Sequence, residues 1–324
     1  MEIVSNAGGL FPLPILPTSN AHHAKETIQR FSFLGTFIAK AIMDDRMIDL
    51  PFSVAFFKGL LGVPLILDDL HPIYPQLVDT IRDFQKVLEE KQKVEQEAAM
   101  LDEAARTEKV EAIKYKGGTI ESMWLTFDLP GVNLELLPDG SDKALTIHNL
   151  HEWVSLVVDA IAGTGVAKQF EALKAGFRHI FDASRLTVFE PHELETLICG
   201  SLDQDWSKEA ILEAATYSQG YTINSKVSQW FAAMLSQFSE AERRKFLRFA
   251  TGSPRLPPRG FKGFHHRLTL SRKDPEKNRK ADDYYPSVST CFLFIKIPDY
   301  SSFEVFKERF LTAIENGQQG FGLS

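Results

Sequence analysis

Two side chains in this sequence have the chemistry of a covalent nucleophile: Cys199, in ETLICG, and Cys291, in PSVSTCFLFIK. Neither has a second cysteine at CxxC spacing, so a disulfide framework and a cysteine zinc site are both set aside. Each is judged as a single thiol. The reactive form is the thiolate, and an ordinary pKa of about 8.5 leaves only a few per cent ionised at neutral pH unless neighbours intervene. Around Cys291 the hydroxyls of Ser287, Ser289 and Thr290 are available to hydrogen-bond the sulfur, and no basic residue adjoins it in the chain. The plainer alternative makes Cys291 a small hydrophobe opening the strand CFLFI, because unbridged cysteine is among the most buried residue types. Cys199 lies on an apolar helical face, where the packing reading holds. A hydrolytic thiol would need an oriented histidine base, and the C-terminal part offers only His265 and His266, after a flexible Pro/Gly segment.

The elements that must position these groups follow from periodicity. Phe31, Leu34, Ile38, Ala41 and Ile42 recur at helical spacing, and a second apolar helix ends at Gly62, a natural stop. Leu77, Ile81, Phe84 and Leu88 mark one face of a further helix, a stripe that on spacing alone is core. Residues 89–116 are nearly all Glu, Lys, Gln and Ala and read as a charged helical insertion without chemistry. TIESMWLTFDLPG alternates like a strand, and residues 146–199 are again helical. The Gly-, Ser- and Asp-rich string at 199–207 reads as a hinge. Beyond it come helices near 227–238 and 240–250, an irregular Pro/Gly stretch at 251–264, strands in HRLTLSR and TCFLFIKI, and a helix over 303–313 capped by Ser301-Ser302.

Helices first and a small mixed unit second make an α+β chain in two parts, and 324 residues suit two cores better than one. Residues 1–203 carry net −12 and residues 204–324 net +5, opposite signs that suit two approaching lobes or ordinary solvated surface equally. The basic part lacks the aromatic interleaving of a nucleic-acid module. No apolar run is long enough to cross a bilayer and the N-terminus has no basic signal region, which points to a cytoplasmic or nuclear protein without membrane or nucleic-acid partners.

Several separated strings resemble the HECT family of ubiquitin ligases in the family's order: GLFPLP, FLGTFIAKAIMDDRMIDLPFSVAFFKGLLG, KQFEALKAGF, ELETLICG, TGSPRLPPRGF, PSVSTCFLFIKIPDY and a closing GFGLS. GLFPLP and PSVSTC bring it nearest the ubiquitin-fusion-degradation branch. The resemblance implies a bilobal α+β fold, with a larger, mostly helical N-lobe over residues 1–200, a hinge, and a smaller α/β C-lobe over 201–324. It implies that Cys291 accepts ubiquitin from a ubiquitin-conjugating enzyme as a thioester and transfers it to a lysine of a substrate or of ubiquitin. By position, Thr290 precedes that cysteine, Phe321 is the terminal aromatic that assists transfer, and the conjugating-enzyme surface falls on Leu77, Ile81, Phe84, Met123, Leu125 and Trp153. The implied partners are the conjugating enzyme, ubiquitin and a protein substrate; no metal or cofactor is called for. Two departures stand out. Ser289 replaces the histidine most members carry two places before the cysteine, and the helices that usually precede the GLFPLP-like string have no counterpart here. An alternative follows from the second: an impaired fragment that binds the conjugating enzyme without turning it over.

Thioester exchange replaces one thiolate by another, is close to energetically even, and requires no nucleotide at this stage. The following attack by a lysine amine, with a pKa of about 10.4, requires loss of a proton nearby. Asp282, Asp283, Asp299 and the Ser324 carboxylate are the candidates to assist it.

Overall fold

The computed structural model describes residues 3–4, 8–201, 203–276 and 279–317. The chain divides into two compact units, one formed by residues 1–40 and 51–194, the other by 41–50 and 195–324.

The first unit is predominantly helical. Strands β1 (Ile3–Val4) and β2 (Phe11–Pro12) form a short antiparallel pair. Helices α1 (Ala21–Met43), α2 (Val54–Leu61), α3 (Leu67–Leu70), α4 (Pro75–Glu97), α5 (Glu103–Glu111), α6 (Leu150–Ala162), α7 (Thr164–Arg178) and α8 (Pro191–Cys199) follow, of which α1 ends and α8 continues in the residues of the second unit. Helix α2 starts at Ser53, whose hydroxyl accepts from the Phe56 amide, and stops at Gly62 in the left-handed region, as its glycine predicts. Helices α1 and α7 cross at van der Waals distance because Gly35 and Gly176 face the opposing backbone. A Cβ on either would meet a carbonyl oxygen at 2.0 Å. Phe11, Phe52, Phe56 and Phe170 fill the space beside that crossing, with Phe52 stacked on Phe56 at 4.2 Å. Each such ring contributes about 1.5–3 kcal/mol of burial free energy.

The charged insertion is helical as expected but broken: α4 ends at Glu97, and Asp102 caps α5 through the Ala105 amide. TIESMWLTFDLPG, by contrast, forms no strand. A 3-10 turn covers Glu121–Met123, Trp124 adopts a left-handed backbone (φ 55°), and only isolated bridges follow, such as Thr126 with Ala144. A residue with positive φ interrupts the pleat that alternation presupposes.

The second unit is a four-stranded sheet of order β3 (Thr216–Ser218), β4 (Thr269–Lys273), β6 (Phe294–Pro298), β5 (Ser287–Ser289). The first three are parallel and β5 is antiparallel to β6. Helices α9 (Lys208–Ala214), α10 (Lys226–Ser236), α11 (Glu240–Thr251) and α12 (Phe303–Asn316) belong to it. Phe231, Phe246, Phe306 and Phe310 form its aromatic centre at 5.5–6.3 Å. Two residues of the string expected as a hinge make contacts within this unit. Ser201 exchanges backbone hydrogen bonds with Leu256 (2.8 and 2.9 Å), and Trp206 is buried against Phe261. The amide of Ile48 donates to the Ile198 carbonyl, which ties residues 41–50 to the same unit.

Candidate active site

Cys291 sits at the tip of the β5–β6 hairpin. Ser289 pairs with Phe294, so residues 290–293 are the connection, folded as a 3-10 turn Thr290–Phe292 and closed by Leu293. Leu293 takes a left-handed conformation (φ 49°, ψ 49°), which costs a leucine roughly 1–2 kcal/mol. Its side chain is 5% exposed in the core of the unit, a burial that offsets the strain. Its carbonyl accepts from the Thr269 amide at 2.9 Å, so the tip is fixed both by an apolar anchor and by the neighbouring strand. With Leu293 turned inward, Thr290 is half-buried, Ser289 and Cys291 are exposed, and Phe292 is 63% exposed. Cys291 therefore does not begin a packed strand; the ladder starts three residues later, at Phe294. Helix α11 packs against both this turn and β5. Cys199, at 1% exposure, is sealed in α8.

The carboxylates near Cys291 in sequence lie elsewhere. Strand β6 carries the chain away from the thiol at about 3.3 Å per residue, so Asp299, just past its end, is roughly 20 Å along the chain path from the turn. Asp299 pairs there with Lys226 at 3.4 Å. The hydroxyl and amide of Ser301 both donate to Asp282 (2.6 and 2.9 Å), and together they hold its carboxyl below the usual range. Asp283 accepts from the Lys280 amide. All three are engaged in holding loops at the opposite end of the sheet, which removes them as proton acceptors for an amine at Cys291. Phe321 and Ser324 lie outside the described residues.

The six positions assigned to a conjugating-enzyme surface separate into two groups. Leu77, Ile81, Phe84 and Trp153 are at most 8% exposed and belong to the core of the first unit. Tyr115 lies edge-on to Phe84 at 5.3 Å, Phe84 to Trp153 at 5.5 Å, and the Trp153 indole donates to the Thr126 carbonyl at 3.0 Å. These four side chains are packed inside the unit rather than presented at its surface. Met123 and Leu125 are half-buried, and between them Trp124 is 91% exposed. Sequence reasoning passed over Trp124 because an alternating pattern assigns it a face, whereas its positive φ turns it outward. It named His265 and His266 but set them aside as following a flexible segment; the ring of His266 lies 5.5 Å from that of Phe292, the residue after Cys291.

Comparison with known proteins places this geometry. The family model described as HECT-domain (ubiquitin-transferase) matches residues 2–324. The E3 ubiquitin-protein ligase TRIP12 of Danio rerio is 38% identical over 98% of the chain and 16% of the relative. UPL4 of Arabidopsis thaliana, another E3 ubiquitin-protein ligase, is 36% identical over 99% and 21%, respectively. Ubiquitin fusion degradation protein 4 of Saccharomyces cerevisiae is 35% identical over 97% and 20%, in keeping with the branch named from the sequence strings. The chain thus spans about a fifth or less of the length of these relatives. Matched along nearly its whole length, it belongs to the HECT-domain (ubiquitin-transferase) family.

Proposed function

We propose that this chain accepts ubiquitin from a conjugating enzyme as a thioester on Cys291 and passes it to an amine on a substrate or on ubiquitin. The observation that carries the reading is an exposed thiol on a pinned hairpin tip, in a chain matched by a ubiquitin-transferase family. The Cys291 thiolate attacks the incoming carbonyl carbon; a C–S bond to Cys291 forms as the C–S bond to the donor breaks. The amine then attacks the same carbon and the Cys291 thiolate departs. Holding the turn rigid favours both steps by presenting sulfur and carbonyl in one geometry, with Thr290 beside the sulfur.

The first unit serves as the N-lobe that receives the conjugating enzyme, and the second as the C-lobe. Trp124 is the anchor for that partner, flanked by Met123 and Leu125, while Leu77, Ile81, Phe84 and Trp153 support it from the core. An exposed, rigidly placed tryptophan has the character of an interface hot spot. Phe321 assists transfer from the C-terminal end. Neither cysteine forms a disulfide, and no helix among the described residues is long and apolar enough to cross a membrane; both fit a protein acting in the cytoplasm or nucleus.

The test is a non-reducing gel after mixing the chain with ubiquitin-charged conjugating enzyme. A thiol-sensitive adduct is expected, absent in Cys291→Ala and thiol-resistant in Cys291→Ser. An adduct that persists unchanged in Cys291→Ala would refute the assignment.

A further inference from the structure

His266 and Cys291 are 25 positions apart in sequence, yet the sheet brings their segments together. Strands β4 and β6 run parallel with Thr269 opposite Phe294. Three residues before each lie His266, on the segment leading into β4, and Cys291, in the turn that joins β5 to β6. One contact joins the two segments at their strand ends: the Thr269 amide donates to the Leu293 carbonyl at 2.9 Å. A second is the ring of His266, whose centroid lies 5.5 Å from that of Phe292, the residue following Cys291. The Pro/Gly stretch before His266 is held in place rather than loose. Phe261 is buried with its ring 4.9 Å from Trp206, and Leu268 is buried two residues past His266. His265 and His266 are the two imidazoles of the second unit, and both are exposed.

We propose that His266 takes the proton from the Cys291 thiol as the sulfur attacks the incoming thioester, an assignment that rests on Cys291 being the acceptor. The Sγ–H bond breaks with its proton passing to the neutral imidazole, and the electron pair left on sulfur forms the new bond to the carbonyl carbon. The donor sulfur leaves with the pair of its former C–S bond and is protonated by the imidazolium or by water. An imidazole suits this exchange because its ring nitrogen can take up a proton and return it. His265 and Arg267 flank His266, β4 carries Arg272 and Lys273, β5 has no charged residue, and β6 has Lys296. Helix α11 carries Glu240, Glu242, Arg243, Arg244, Lys245 and Arg248, of which Arg244 pairs with Glu240 and Arg248 with Asp49.

The experiment measures single-turnover thioester formation between pH 6.5 and 9.5 for the whole chain and for His266→Gln. At pH 7 the variant is expected to charge about tenfold more slowly. At pH 9.5, where hydroxide replaces an internal base, the two should agree within about twofold. Equal rates at pH 7, or a deficit of the same size at pH 9.5, would overturn the proposal, the second because it marks a merely structural role. Alkylation of Cys291 by iodoacetamide in the chain alone separates this inference from the ligase reading, since it needs no conjugating enzyme and Cys199 is buried. Slower alkylation of His266→Gln at pH 7 supports the base even if no ubiquitin adduct ever forms. Unchanged alkylation with normal wild-type charging removes the base and leaves the ligase reading standing. His265→Gln should behave as wild type; a loss there, with none in His266→Gln, would also overturn the assignment.

Discussion

Trp153 and Trp124 belong to the same unit and make opposite predictions. Trp153 is fully buried against Phe84 and its indole donates to the Thr126 carbonyl. Trp153→Ala should therefore lose about 3–5 kcal/mol for the vacated volume. The unpaired Thr126 carbonyl adds about 1 kcal/mol. That is a large fraction of the roughly 5–15 kcal/mol that holds an ordinary domain folded. Trp124 is 91% exposed and sits at φ 55°, so removing it costs no core contact. Trp124→Gly relieves a left-handed strain of roughly 1–2 kcal/mol and should leave stability equal to or slightly above the parent. Urea unfolding followed by far-ultraviolet circular dichroism reads both, with midpoints compared unit by unit because two cores need not melt together. Charging by ubiquitin-loaded conjugating enzyme is then measured at a temperature where both variants are folded. The expected pattern is a large midpoint shift for Trp153→Ala, and a charging defect of about tenfold or more without a midpoint shift for Trp124→Gly, the size of a hot-spot loss. A stable Trp153→Ala, or normal charging by Trp124→Gly, would refute the division of these residues into core and contact.

Two further predictions concern the second unit. Ser239 caps α11 in a reciprocal arrangement with Glu242, and Ser239→Ala should cost about 1 kcal/mol, or roughly 2–4 °C in thermal unfolding; an unchanged Tm, or an equal loss in Ser239→Thr, would show that the cap is not responsible. Asp282 is held below its ordinary carboxyl value by the Ser301 hydroxyl and amide, so its contribution is present above about pH 4 and disappears as the pH falls through the folded value. Ser301→Ala should accordingly lower the urea midpoint at pH 6–7 and converge with the parent in acid once the carboxyl is protonated; a gap that persists there would mean the carboxylate is not its source.

Much of the architecture was legible in the chain because it is written in local terms. The helical stripes at Phe31 to Ile42 and Leu77 to Leu88, the stop at Gly62 and the cap at Ser302 depend on neighbours within one or two turns, and each appears where expected. The α+β class and the family strings were likewise readable without coordinates. Short elements were not: α9, β3 and β5 span seven, three and three residues, too few for a period to declare itself.

The sequence by itself determined that a single thiol, Cys291, stands among hydroxyls near the C-terminal end of an α+β chain of a recognisable family. Only the tertiary structure decided that this thiol is exposed, because that depends on Leu293 reversing its backbone and burying its side chain in a core built from distant segments. It also decided that Asp282 and Asp299 hold loops at the far end of the sheet, that Leu77 and Trp153 are core, and that the ring of His266 lies against that of Phe292, the residue after Cys291. The physical reason is the same throughout: residue type and spacing specify which face a side chain takes on its own element, but exposure and proximity are set by what other elements pack against that face.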